Sequence, residues 1–147
     1  SEITAKYHTA THIMLAGLRK MFGAQTEQKG SNITEERMRF DFNLDHKMTP
    51  EELKQLEDFV NQAIEKKIDV VKTEMPYSEA IEKGAYGVFN PTSNDQIVSI
   101  YTIGDIDMQI CGGPHAKNTA DLVHFSIKKE EKVSENLTRY ATSLTFY

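Results

Sequence analysis

With a single cysteine, Cys111, this chain of 147 residues cannot build an internal disulfide framework, and a reducing, cytoplasmic setting follows as the expectation. Long apolar runs are also missing. No stretch approaches the roughly 18 consecutive apolar residues of a membrane span. No basic, apolar leader with a small-residue cleavage site opens the sequence, so it reads as not exported. Positive charge is in deficit: 17 Lys and Arg face 22 Asp and Glu, a formal net charge of −5. That argues against a protein that coats nucleic acid through bulk charge. It leaves room for a local basic patch or for a site that grips only the end of an RNA. Arg19, Lys20, Lys29, Arg37 and Arg39 lie close in sequence and can supply such a patch, or be ordinary solvated charges. Internal repeats, low-complexity tracts and long linkers are absent.

What is present is enough for a folded core: 39% apolar and 27% charged residues, in a length that fits one domain over residues 1–147. Ile3, Tyr7, Ala10, Thr11, Met14, Leu18 and Met21 recur at helical steps, and Gly23 is a plausible stop. Gln25–Asn32 and Arg37–Phe42 read as strands. In the second, Met38, Phe40 and Phe42 alternate with polar residues. Thr49 is a good N-cap, Pro50 suits the first helical position and Glu52 completes a capping box. Leu53, Leu56, Val60, Ala63 and Ile64 form the stripe of that helix. Asp69–Glu74 reads as a strand, and Tyr77–Lys83 as a short helix ended by Gly84. Asn90–Asp95 reads as a loop. Gln96–Ile103 and Asp105–Ile110 around Gly104, then Leu122–Lys128 and Leu137–Phe146, read as strands. Helices and strands without regular alternation predict an α+β fold, a mainly antiparallel sheet with helices packed on it.

Two clusters carry chemistry. In His8-Thr9-Ala10-Thr11-His12, a spacing of four puts both imidazoles on one helical face, where they can share a metal ion. In Cys111-Gly112-Gly113-Pro114-His115, a thiol and an imidazole flank two glycines, which permit a tight backbone path. Together they offer three nitrogens and one sulfur, a set zinc prefers. Taken singly, a helical histidine pair is more often half-buried or at the surface, and a buried cysteine usually acts as a small hydrophobe. His46, in a loop beside Lys47, and His124, within a strand, are weaker candidates. A backbone turn such as Ile110–Gly113 can offer amide donors to an oxyanion.

The first cluster is followed in order by Gln28-Lys29-Gly30-Ser31, Glu36–Phe42, Lys83-Gly84-Ala85, Gly104-Asp105 and the second cluster. From about Thr4 to Lys128 this series resembles the editing domain of alanyl-tRNA synthetase, which also occurs in free-standing alanyl-tRNA editing proteins and, more distantly, in threonyl-tRNA synthetase. The resemblance implies the α+β fold of that domain. It implies Zn2+ held by His8, His12, Cys111 and His115, which are also its catalytic centre. It implies hydrolysis of the ester that joins a mischarged serine, or glycine, to the alanine tRNA. The partner implied is the tRNA acceptor end, with no membrane and no DNA. Thr11 and Gln28 match the family's substrate-binding threonine and glutamine, and Gly112 and Gly113 line the same site. A hydroxyl and an amide suit recognition of a serine hydroxyl. From the residues alone, Thr11 reads as back-bonding to its own helical turn and Gln28 as a solvated strand residue.

Two departures open alternatives. Pro114 stands where alanyl-type domains usually have threonine and is closer to the threonyl type, which points to an editor of another seryl-mischarged tRNA. The family's Gly-x-Arg-Arg stretch is replaced by Ser134–Arg139, which points to a tRNA-binding module that keeps the fold without hydrolysis. Four protein ligands would close the zinc site, as in structural sites, whereas zinc that activates water needs an open position; both roles stay open. No ATP-binding signature of a synthetase is visible, so no aminoacylation is expected of this chain, whether it is a free-standing editor or the editing part of a larger synthetase.

Overall fold

The computed structural model describes residues 2–44, 46–87, 89–134 and 137–145, with side chains up to residue 128. The chain opens with helix α1 (Glu2–Phe22). Gly23 ends it at φ +109°, in the left-handed region, with its N–H on the Arg19 carbonyl. A one-sided helix is the sequence expectation, but every residue from Thr9 to Leu18 is buried. The reason is position: α1 lies against a second helix and packs against both of two sheets. That second helix, α2 (Pro50–Glu65), starts as its sequence predicts. The Thr49 hydroxyl accepts from the Glu52 N–H, and the Glu52 carboxylate accepts from the Thr49 N–H. Leu56, Val60, Ala63 and Ile64 are its buried stripe.

The fold is α+β with antiparallel pairing throughout the named strands, in two sheets rather than one. The first has the order β1 (Gln28–Ile33), β2 (Met38–Phe42), β7 (Leu137–Thr145), β6 (His124–Ser134). Its last strand in sequence is therefore an inner one. The second has the order β3 (Val70–Pro76), β4 (Ile97–Ile103), β5 (Asp107–Ile110), with α3 (Tyr77–Glu82) packed beside it. The main core joins α1, α2 and the first sheet through Ile13, Met14, Leu18, Phe40, Leu56 and Phe125. A smaller one, built on Ala80, Val98, Ile100 and Ile110, lies under α3.

Several boundaries differ from the sequence reading. β1 starts at Gln28 because residues 23–27 form the turn leaving α1. Asp105 and Ile106 belong to the β4–β5 turn, where the Ile106 N–H reaches the Ile103 carbonyl. Leu122 closes a short 3-10 helix, Thr119–Leu122, that hydrophobic periodicity does not reveal; Asn118 and Asp121 cap it reciprocally. Phe146 lies outside the described residues. Among the described residues, no helix is long and apolar enough to cross a membrane.

Candidate metal centre

The helix α1 presents His8 and His12 one turn apart, and β5 ends just before Cys111. The loop after it returns to place His115 between them. One ligand atom from each of His8, His12, Cys111 and His115 can be chosen so that all lie within 4.8 Å of one another, and this group can hold a metal ion. Cys111 Sγ lies 3.2 Å from His8 Nε2. The His8 and His115 rings stack at 4.2 Å between centroids, the His12 ring meets His115 edge-on at 4.3 Å, and Tyr101 backs His115 at 4.0 Å.

The hydrogen bonds around the cluster select one nitrogen of the His8 ring and one of the His115 ring. The Pro114 carbonyl can only accept, so His8 Nδ1, 3.0 Å away, carries the proton and Nε2 turns its lone pair toward Cys111. The Thr9 hydroxyl donates to the Ala5 carbonyl and accepts from the Ala116 N–H. Its remaining capacity is one acceptor site, so His115 Nδ1, at 3.0 Å, is the donor. That leaves the His115 Nε2 lone pair bare. Among the described residues, His115 Nε2 and His12 Nδ1 are buried with no hydrogen-bond partner. A buried, bare imidazole nitrogen is costly unless something electropositive meets it. The donor set and this orphaned nitrogen both fit a soft divalent metal such as zinc.

Burial lowers the pKa of all three histidines. His115 falls to about 3, by desolvation and then by His8. His12 falls by desolvation, then by His115 and His8. His8 falls by desolvation, partly offset by its Pro114 bond. Neutral imidazoles are the ligand form. Desolvation raises the Cys111 thiol, with a hydrogen bond from Gly113 opposing it.

The cluster sits at the wall of an open cleft of about 450 Å³. Gln28, Lys29, Phe89, Ile97 and Gly112 line it with His8, His12 and Cys111. Thr11 does not line it: its hydroxyl donates to the His8 carbonyl at 2.6 Å. The two glycines of the second cluster behave differently from their sequence reading. Neither has a positive φ. Gly113 is pressed against His8, and a Cβ there would come within 2.5 Å of the ring; at Gly112 it would meet nothing within 4 Å. The turn's amides are also mostly engaged. Ile110 N–H binds the Tyr86 carbonyl, Cys111 N–H the Ser99 carbonyl, and Gly113 N–H donates to Cys111 Sγ, while Gly112 lines the cleft.

Arg19 lies over the Tyr86 ring, Lys20 over Phe59, and Lys29 alone of the five basic candidates lines the cleft. His46 pairs with Glu52 on α2 and meets the Phe22 ring edge-on, outside the cluster. His124 is exposed at the start of β6. Residues that the sequence reading passed over surround the site: Thr9 behind His115, and Asp107, Gln109 and Tyr86 behind His12. Thr9, Asp107 and Gln109 are signalled in sequence only by nearness to the two clusters, and Tyr86 only by following Lys83-Gly84-Ala85, since what they contact is a property of the fold.

An antiparallel α+β scaffold bearing a three-histidine, one-cysteine group at a cleft wall defines a class of metal-competent small domains. Residues 98–139 match the family described as threonyl and alanyl tRNA synthetase second additional domain. The chain is 46% identical over 136 residues to the alanine–tRNA ligase of Borrelia hermsii, covering 92% of this chain and 23% of that protein. It is 45% identical over 139 residues to the alanine–tRNA ligase of Treponema denticola, covering 95% and 23%. Against that of Christiangramia forsetii it is 40% identical over 137 residues, covering 92% and 16%. The chain is an alanyl-tRNA synthetase editing-domain-like protein, and it spans less than a quarter of the length of these relatives.

Proposed function

We propose that this chain, as one editing domain over residues 1–147, hydrolyses mischarged aminoacyl-tRNA, with seryl- or glycyl-tRNA for alanine as its substrate. The observation that carries the reading is the meeting of His8, His12, Cys111 and His115 at the wall of a cleft that Gln28 also lines. These four residues would hold zinc, which when bound supplies a fixed positive charge at the head of the cleft. The chain's own residues do the rest. The Gln28 amide can both donate to and accept from a serine hydroxyl. Gly112 lines the cleft, and its N–H is the amide assigned in this reading to an oxyanion developing on the ester carbonyl. Lys29, beside Glu27 at the cleft edge, offers charge to the phosphates of an RNA end. Phe89 and Ile97 give the rim an apolar surface. Thr11 is buried and does not line the cleft, whereas Gln28 does, so Gln28 is the stronger candidate for reading the hydroxyl.

The similarity to alanine–tRNA ligases favours the alanine tRNA over the threonine tRNA. The structural role of Pro114 is carried by its carbonyl, which threonine would supply equally. The test is deacylation of matched seryl-, glycyl- and alanyl-tRNA by the zinc-loaded chain. Hydrolysis of the first two with alanyl-tRNA spared is the expected result. Hydrolysis of seryl-threonine tRNA alone would move the assignment to the threonyl type, and no hydrolysis of any ester would leave only the binding-module reading.

A further inference from the structure

Asp107 is a buried carboxylate that neither the zinc cluster nor the cleft accounts for. Its side chain is 0% exposed, and both oxygens are held. The Tyr86 hydroxyl donates to Oδ1, and Gln109 Nε2 donates to Oδ2 at 2.8 Å. Gln109 also reaches back to the His12 carbonyl at 3.3 Å. On the far side of Oδ2, 3.7 Å away, is His12 Nδ1, the nitrogen buried without a partner. The backbone is shaped to make this arrangement. Tyr86 is bridged to β5 by its N–H on the Met108 carbonyl and by its own carbonyl on the Ile110 N–H. Gly87 allows that approach: its φ is +141°, and a Cβ there would stand 2.8 Å from the Ile110 carbonyl oxygen.

We propose that Asp107, clamped by Tyr86 and Gln109, is a positioning residue that orients His12 toward the metal. The proposal rests on the metal reading of the four-residue cluster. A carboxylate facing one imidazole nitrogen fixes the proton there and turns the lone pair of the other outward, which is how ligating histidines are commonly held. Asp107 supplies that acceptor to His12 Nδ1, and Nε2 is then the ligand. A small tilt of the ring closes the 3.7 Å separation to hydrogen-bond range. Each histidine of the cluster then has its own holder: the Pro114 carbonyl for His8, the Thr9 hydroxyl for His115 and the Asp107 carboxylate for His12.

The experiment is a Co2+ titration of the metal-stripped chain in competition with a chromophoric chelator, with the visible spectrum followed. The parent is expected to bind Co2+ and show thiolate-to-cobalt charge transfer from Cys111. Asp107→Asn keeps the volume but exchanges one accepting oxygen for an amide. It should weaken Co2+ binding about 10- to 100-fold while the thiolate band survives. The melting temperature of the metal-free variant should fall only modestly, because Asn keeps the volume and one accepting oxygen but leaves either Tyr86 or Gln109 facing an amide N–H. A variant that melts lower yet binds Co2+ as tightly as the parent would assign Asp107 to packing alone and overturn the proposal. A parent that binds no Co2+ would remove the metal reading and this proposal with it; equal binding by both proteins removes only the positioning role. Where Asp107→Asn does not fold, the parent decides. In zinc-loaded protein with 15N-labelled histidine, His12 should carry its proton on Nδ1 and the metal on Nε2. Metal on Nδ1 would overturn the assignment.

Discussion

Thr9 and Thr11 are two residues apart on α1, both buried, and the structure gives their hydroxyls unequal duties. Thr9 is 0% exposed and its oxygen accepts from two donors, the Ala116 N–H at 2.9 Å and His115 Nδ1 at 3.0 Å. Thr9→Val keeps the shape and strands both. His115 can escape by moving its proton to Nε2, but the Ala116 amide cannot, and a buried unsatisfied donor costs about 1–3 kcal/mol. A loss of about 2 kcal/mol is therefore expected, or roughly a 4–8 °C fall in Tm for a chain of this size. The escape route has its own consequence. A proton on Nε2 occupies the lone pair that faces the cluster, so metal affinity falls with stability. Thr11→Val is the control, since its hydroxyl only donates to the His8 carbonyl within the same helix. Its loss should cost less than about 1 kcal/mol. The assay is urea unfolding of the metal-free proteins, followed by zinc competition on the folded ones. Equal losses in the two variants, or a Thr9→Val protein that binds zinc like the parent, would refute this account of how His115 is held.

Three further outcomes follow from the site. Gly113→Ala should displace His8, lowering both Tm and Co2+ affinity, whereas Gly112→Ala should leave both near the parent; identical behaviour would show that the contact with His8 is not limiting. Gln28→Leu should slow seryl-tRNA hydrolysis about 10- to 100-fold and narrow the serine-over-alanine ratio, as expected for a lost hydrogen bond to substrate. Thr11→Val should change that ratio less, and the reverse order would return the discriminating role to Thr11. Acid should destabilise the metal-free chain. His8, His12 and His115 have pKa values held below the ordinary 6.5, so the unfolded chain binds more protons as pH falls through 6.5, a window reaching down to about 3 for His115. Asp107, raised by burial from 3.8 to about 7, acts in the opposite direction, because the folded state takes up its proton first. Three histidines outnumber one carboxyl, so Tm should fall between about pH 6.5 and pH 5; a flat or rising profile would contradict the neutral, buried state assigned to the rings.

Periodicity and local chemistry act over a few residues, and what depends on them is legible without a fold. The capping box of Thr49 and Glu52 forms as written, Met38, Phe40 and Phe42 face the core, and His8 and His12 share a helical face. The zinc-like donor set is equally a matter of residue type. Tertiary structure decided what these pieces meet. It set β7 between β2 and β6, which no local pattern specifies, because strand order depends on which apolar faces can be buried together. It buried α1 on all sides from Thr9 to Leu18, between two sheets and a second helix. It gave the hydroxyl of Thr9, rather than that of Thr11, to a histidine 106 residues away, and pressed Gly113, rather than Gly112, against His8. It also brought Asp107 under His12. Donor identity lies in the sequence, but which nitrogen keeps its lone pair depends on contacts across about a hundred residues of chain, and those exist only once the sheets have closed around α1.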